Sequence, residues 1–259
     1  MSRIQQAFAN GKAFIPFLTC GDPDLGTTAA LVRTMAEAGA DLIELGIPFS
    51  DPTAEGPVIQ AANARALAGG VTTDQILGMA RALRRDVAIP MVFMTYANVV
   101  FSYGTERFLA AAAEAGIDGL ILPDVPFEEK EEFAPACRAC GLDLISLIAP
   151  TSEGRISEIA KAAEGFVYCV SSLGVTGMRS RITTDVGDMV GQVRASNPHI
   201  PCAVGFGISA PEQAAEMAAL SDGVIVGSAI VKLVARHGRE AVPAVRDFTA
   251  AMKRAVSRR

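Results

Sequence analysis

The chain has 259 residues, half of them hydrophobic and a fifth charged, with a net charge of −5. That is enough apolar material for a large core and excludes a disordered chain, while the negative balance gives no general attraction to nucleic acid or to an anionic membrane. No apolar run reaches the roughly 18–20 residues of a membrane span, and the opening MSRIQQAFANGK lacks the apolar stretch of a secretory signal, so a reducing cytoplasm is the expected location.

Along the chain, short apolar runs alternate with longer amphipathic ones. The apolar runs are FIPFL (14–18), LIEL (42–45), PMVFM (90–94), GLILP (119–123), LDLISLI (142–148), FVYCV (166–170), CAVGF (202–206) and VIVG (224–227). Continuous runs of Val, Ile, Leu and Phe suit strands buried on both faces. Between them lie Ala-rich helical stretches such as ALVRTMAEAG, ERFLAAAAEAG and PEQAAEMAAL. Gly39, Gly116 and Gly141 stand where helices should end, and EEFAPACRACG reads as a helix closing at Gly141. Ser209 and Glu212 have the spacing of a capping box before the helix that follows the seventh strand. Eight such strand–helix units predict a (β/α)8 TIM barrel, a fold of about 250 residues. Residues 1–259 are read as a single domain with extra helices, the doubly wound open sheet being the alternative. The interval between the second and third strands is the longest. It holds LGIPFSDPTAEGPVIQAANARAL, a loop and an additional helix, at the face where barrels build their active sites.

Residues able to carry chemistry cluster at these strand ends. Glycine-rich turns follow the last two strands: GFGIS, with Gly205 and Gly207, and VGSAI, with Gly227 and Ser228 opening a helix. Glycine allows close backbone approach to an anion, and a helix start offers N–H groups to phosphate oxygens. Glu44 lies inside an apolar strand with no cation nearby in sequence. Burial should resist its ionisation and suit it to acid–base work near neutrality. Asp22, Asp51, Glu55 and Asp124 also lie near strand ends, where turns and caps are their ordinary use. Phe17, Met94, Ile121 and Leu147 could wall a slot for a flat aromatic group or simply fill the barrel. Tyr168, near the end of the sixth strand, could line the same pocket. SSLGVTGMRSRITTD after it has the makeup of a mobile lid. The cysteines are odd in number and scattered, which argues against a disulfide framework. Cys137 and Cys140 form a lone C-x-x-C, and His199 and His237 lack ligand spacing, so no metal site is expected.

Taken together, PFLTCGDPD (16–24), IELGIPFSDP (43–52), TYANVVFSYG (95–104), LPDVPFEE (122–129), SSLGVTGMR (171–179) and GFGIS (205–209) resemble the tryptophan synthase alpha subunit family along nearly the whole chain. The resemblance implies retro-aldol cleavage of indole-3-glycerol phosphate to indole and glyceraldehyde 3-phosphate, with no metal or organic cofactor. It implies Glu44 as the principal acid–base group. Phe17, Met94, Ile121 and Leu147 would hold the indole ring, with Tyr168 beside Glu44. Gly177, Gly205, Gly207, Gly227 and Ser228 would surround the substrate phosphate, and Thr176 would be the lid threonine that engages a second acid. It further implies a pyridoxal-phosphate beta subunit as partner in an alpha2beta2 complex, met through Pro48 to Pro52 and Asn98. One position departs from the family: the usual A-D-G-P is here Ala54-Glu55-Gly56-Pro57, so the second acid is one methylene longer. Asp51 is its neighbouring rival for that role. Two other functions stay open at this point. One is a different phosphosugar isomerase or aldolase on the same barrel, although Lys12, Lys130, Lys161, Lys232 and Lys253 all fall outside the predicted strands. The other is a non-catalytic partner that activates a beta subunit.

Overall fold

The structure is a computed structural model that describes residues 2–152, 154–170, 179–205 and 207–257, with 179–185 described by backbone alone. Eight parallel strands close into a barrel in sequence order: β1 (Ala13–Thr19), β2 (Ile43–Gly46), β3 (Met91–Met94), β4 (Gly119–Ile121), β5 (Asp143–Ile148), β6 (Val167–Val170), β7 (Cys202–Gly205) and β8 (Gly223–Val226). β1 pairs with β8 through Ala13↔Gly223, which leaves no free edge. The open-sheet alternative is thereby excluded.

The period of two along each strand sorts side chains into two cores. One set faces inward and fills the barrel: Ala13, Ile15, Leu42, Val92, Ile121, Ile145, Phe166, Ala203 and Ile225. The alternate set, including Phe14, Leu18, Ile43, Leu45, Phe93, Leu120, Val167, Val204 and Val224, packs against the helices. Both faces are apolar because both are covered, which is why these strands read as unbroken hydrophobic runs.

The helices follow in order. α1 (Arg3–Gln6) precedes the barrel and closes its lower end; Ile4 on it is fully buried among the inward set. A Cβ on Gly119 would lie 2.8 Å from Ile4 Cδ1, so β4 needs glycine there. α2 (Leu25–Glu37) is capped by Asp24, which accepts from the Thr27 N–H at 2.7 Å. The long second interval contains α3 (Pro57–Ala68), the additional helix, and α4 (Thr73–Leu83), opened by a Thr72–Gln75 capping box. α5 (Ala97–Tyr103) and α6 (Thr105–Glu114) follow β3. The stretch read as one helix up to Gly141 is divided: a 3-10 turn occupies Phe127–Glu132, and α7 is only Ala134–Ala139. Pro135, with no N–H, sits in the first turn of α7, where helices tolerate it. α8 (Ile156–Lys161) and α9 (Arg179–Ser196) come next. The helical backbone of 179–185 shows that the latter part of the segment read as a lid belongs to α9; Thr176 and Gly177 lie outside the described residues. α10 (Pro211–Leu220) corrects the capping box expected from Ser209 and Glu212. Its N-cap is Ala210, and Gln213 Oε1 reaches back to accept from the N–H groups of Ala210 and Ser209. α11 (Ser228–His237) and α12 (Val242–Val256) complete the shell. Gly39, Gly116 and Gly141 each follow a helix with positive φ, the conformation that ends it without strain on a Cβ.

Candidate active site

The C-terminal ends of the strands surround a cavity of about 840 Å³. Phe17, Glu44, Glu55, Met94, Leu147, Tyr168, Gly207, Gly227 and Ser228 all line it. β1, β2, β3, β5, β6 and β8 each deliver inward residues to the cavity, so the barrel's own alternation selects them. Phe17 forms one wall. A Cβ on Gly46 would lie 2.6 Å from its Cζ, and one on Gly227 would lie 3.3 Å from its Cδ1. The ring is therefore bracketed by bare backbone on β2 and β8.

Two expected residues stand elsewhere. Ile121 is fully buried and belongs to the packed layer beneath the cavity, because β4 is short and its rim is taken by Leu122 and Pro123. Gly205 does not line the cavity either. A Cβ there would stand 2.6 Å from the Tyr168 hydroxyl, so this glycine makes room for the tyrosine. Ile145 and Ile225 lie at the cavity floor, and Ile59 from α3 lines its side.

Glu44 is 1% exposed, and its Oε1 has no hydrogen-bond partner among the described residues. Desolvation raises its pKa from the ordinary 4.5 to about 8. At neutral pH the carboxyl is largely protonated, and a proton donor at a cavity wall is available for transfer. Tyr168 faces the same space. Burial first, then the Glu44 charge, push its phenol well above the ordinary value, so it is a neutral hydroxyl.

Glu55 approaches from the loop after β2. Asn63 Nδ2 on α3 donates to its Oε2 at 3.2 Å. Burial raises the Glu55 pKa, and the Tyr96 hydroxyl and the Asn63 amide oppose the rise. Asp51 is exposed, takes a bond from Ser50 Oγ at 2.5 Å, and is absent from the cavity wall. Asp22 is held by Arg65 through two bonds of 2.9 and 2.7 Å, which tie the loop after β1 to α3. Asp124 accepts from the Ala97 N–H at 3.1 Å and so caps α5. Tyr96 and Asn63 escaped the sequence reading. Tyr96 stood inside the motif TYANVVFSYG, but nothing in the spacing announces that it reaches a loop some forty residues earlier. Cys137 and Cys140 are free thiols, and among the described residues no cluster of three His, Cys, Asp or Glu is placed to hold a metal ion.

A closed eight-stranded parallel barrel with a cavity at the C-terminal ends of its strands places the chain among the (β/α)8 barrels, whose active sites are built at that face. The family model described as Tryptophan synthase alpha chain matches residues 4–257, and the chain belongs to that family. A relative from Lacticaseibacillus casei with that same description is 47% identical over 256 residues, covering 99% of this chain and 96% of its own. The crystal structure of tryptophan synthase subunit alpha from Legionella pneumophila superposes with a TM-score of 0.89 at 36% identity, covering 99% and 98% of the two chains. A structure of Mycobacterium tuberculosis tryptophan synthase gives 0.90 at 37% identity, covering 100% and 99%. The enzyme is accordingly a carbon–carbon lyase of tryptophan biosynthesis, which splits indole-3-glycerol phosphate into indole and glyceraldehyde 3-phosphate. Chains of this family normally partner a beta subunit. No helix of the described residues is long and apolar enough to cross a membrane.

Proposed function

We propose that Glu44 moves both protons of the lyase reaction and that Glu55 stabilises the charge it creates. Indole is a poor leaving carbanion, so the ring must first become the indolenine tautomer. Glu44 donates a proton to the ring carbon that bears the side chain. Positive charge then develops at the ring nitrogen, and the Glu55 carboxylate offsets it. Glu44, now ionised, takes the proton from the side-chain hydroxyl as the carbon–carbon bond breaks. Indole and the aldehyde leave, and the carboxyl is again protonated. The observation that carries this reading is the unpartnered Glu44 Oε1 in a cavity wall, next to a neutral Tyr168 hydroxyl.

The remaining site residues hold the substrate in this reading. Phe17, Met94 and Leu147 flank the indole ring, and Ile121 supports them from below. Gly207, Gly227 and Ser228 face the phosphate at the start of α11, a ten-residue helix whose dipole favours an anion there. Gly205 acts on the site through Tyr168. Gly177 and Thr176 keep the roles the resemblance implies, phosphate contact and engagement of the second acid. Binding the remote phosphate orients the reacting end.

The chain 1–259 works as one domain in the cytoplasm, assembled with a pyridoxal-phosphate beta subunit as an alpha2beta2 complex. The exposed Phe101, packed at a tilt against Phe133 with centroids 5.0 Å apart, lies one turn from Asn98 on α5 and supports a contact on this face. The decisive assay incubates the purified chain with indole-3-glycerol phosphate, with and without a beta subunit. Indole release by the chain alone supports the reading, and Glu44→Gln should lower it by roughly 10²–10⁴. More than about a tenth of the activity left in that variant would remove Glu44 from the role.

A further inference from the structure

We infer that Tyr96 is a positioning residue for the second acid: its hydroxyl accepts from the Ala54 amide and so fixes the loop backbone from which the Glu55 carboxylate projects. The inference rests on the reading of Glu55 given above. Tyr96 is 2% exposed, and its ring packs against Phe49 with centroids 5.1 Å apart. Its backbone is the N-cap of α5, so the phenol projects from a rigid base at the end of β3. The Ala54 N–H donates to the phenol oxygen at 3.0 Å. A phenol has one hydrogen to give. With a lone pair engaged by Ala54, that hydrogen is free to turn toward the neighbouring Glu55 carboxylate, whose pKa the hydroxyl holds down against the rise from burial.

The Ala54 contact grips the loop backbone one residue before Glu55. Two further bonds complete the hold: Asn63 Nδ2 to Glu55 Oε2 at 3.2 Å and Gln60 Nε2 to the Glu55 carbonyl at 2.8 Å. The carboxylate is thus positioned jointly from β3 and from α3. This answers the departure of the sequence from its family. A glutamate has one more rotatable bond than an aspartate, and freedom of that kind blurs a catalytic charge. The fixed Asn63 donor and the anchored backbone at Ala54 restrict it. A donor to the carboxylate also favours the ionised form, which is the form that can face a developing cation.

The test compares Tyr96→Phe, Glu55→Ala and the double variant for kcat, KM and thermal unfolding, with indole-3-glycerol phosphate as substrate. Phe keeps the ring against Phe49 and removes one oxygen. The expected result is a kcat lower by between about tenfold and a hundredfold, a KM within about twofold, and no further loss of kcat when Tyr96→Phe is added to Glu55→Ala. Wild-type kcat in Tyr96→Phe, with Glu55→Ala inactive, overturns the inference and leaves the role of Glu55 standing. Near-wild-type activity in Glu55→Ala overturns that role and the inference with it. A loss carried by KM, or equal losses of kcat in both backgrounds, also overturns the inference, since Tyr96 would then act by another route.

Discussion

A carboxyl whose pKa is raised to about 8 leaves a signature in stability as well as in rate. In the unfolded chain Glu44 titrates near 4.5, whereas in the folded chain it keeps its proton up to about 8. Its contribution to folding is therefore complete below the lower value and is lost as pH rises through the upper one. Glu44→Gln removes that titration. The variant's stability should gain on wild type by up to about 4–5 kcal/mol between pH 4.5 and 8, and then hold level. Denaturant melts across this range check it, and a difference that does not change with pH would mean the carboxyl ionises in place. Lyase activity should fall as pH rises past about 8, because the donor is then deprotonated. Gly205 makes a second test at this scale. Its Cβ would meet the Tyr168 hydroxyl at 2.6 Å, inside any real contact. Gly205→Ala should therefore fold and still bind glycerol phosphate, yet lose turnover by about tenfold or more, because the displaced phenol no longer flanks Glu44. Lost phosphate affinity with intact turnover would instead return Gly205 to the phosphate site.

At the scale of elements, the parts of this barrel outside the eight-fold repeat are the informative ones. α1 is only four residues long, but it drives Ile4 into the lower end of the barrel, against the bare backbone of Gly119 and Gly165. Ile4→Ala would leave a cavity where the surrounding strands cannot collapse. A cost of about 2–4 kcal/mol is expected in denaturant unfolding, with little change in kcat. α3, the helix added after β2, supplies Ile59 to the cavity wall and Asn63 to Glu55, and Arg65 ties it to Asp22. The loop between β2 and α3 is in this way built for the longer acid. Glu55→Asp should lower turnover, since the shorter side chain falls roughly 1 Å away from its Asn63 donor. Turnover above wild type would show that the loop still suits an aspartate. Glu55→Ala should be far more damaging than Asp51→Ala in the isolated chain, because Asp51 is exposed and off the cavity.

For the whole molecule, the prediction concerns assembly. The acid loop and the cavity mouth open on the C-terminal face of the barrel, and α5 begins there, after β3. A beta subunit docked there would order the loop holding Glu55 as it bound. Association should then raise the lyase rate, because the bound state favours the competent loop arrangement. Sedimentation of the chain with a cognate beta subunit, alongside indole release, checks both parts. A mixed species without a change in rate would separate docking from activation.

Strand content, strand order and the additional helix were legible from the sequence, because a strand buried on both faces is hydrophobic at every position. So was Glu44, as a charge in an apolar run is conspicuous without any fold. The strength of its perturbation was not, since that depends on what surrounds the carboxyl from other strands. Ile121 and Leu147 look alike as sequence, yet one fills the barrel and the other lines the cavity, because depth along the barrel axis depends on strand register and length. Gly205 and Gly207 are two residues apart in one turn, but only Gly205 stands against Tyr168, a neighbour on β6. Tyr96, Asn63 and Glu55 come from three separate segments and meet only when β2, β3 and α3 are assembled. Local patterning determined the elements; closure of the barrel decided which side chains share a site, because distances across it carry no trace in chain order.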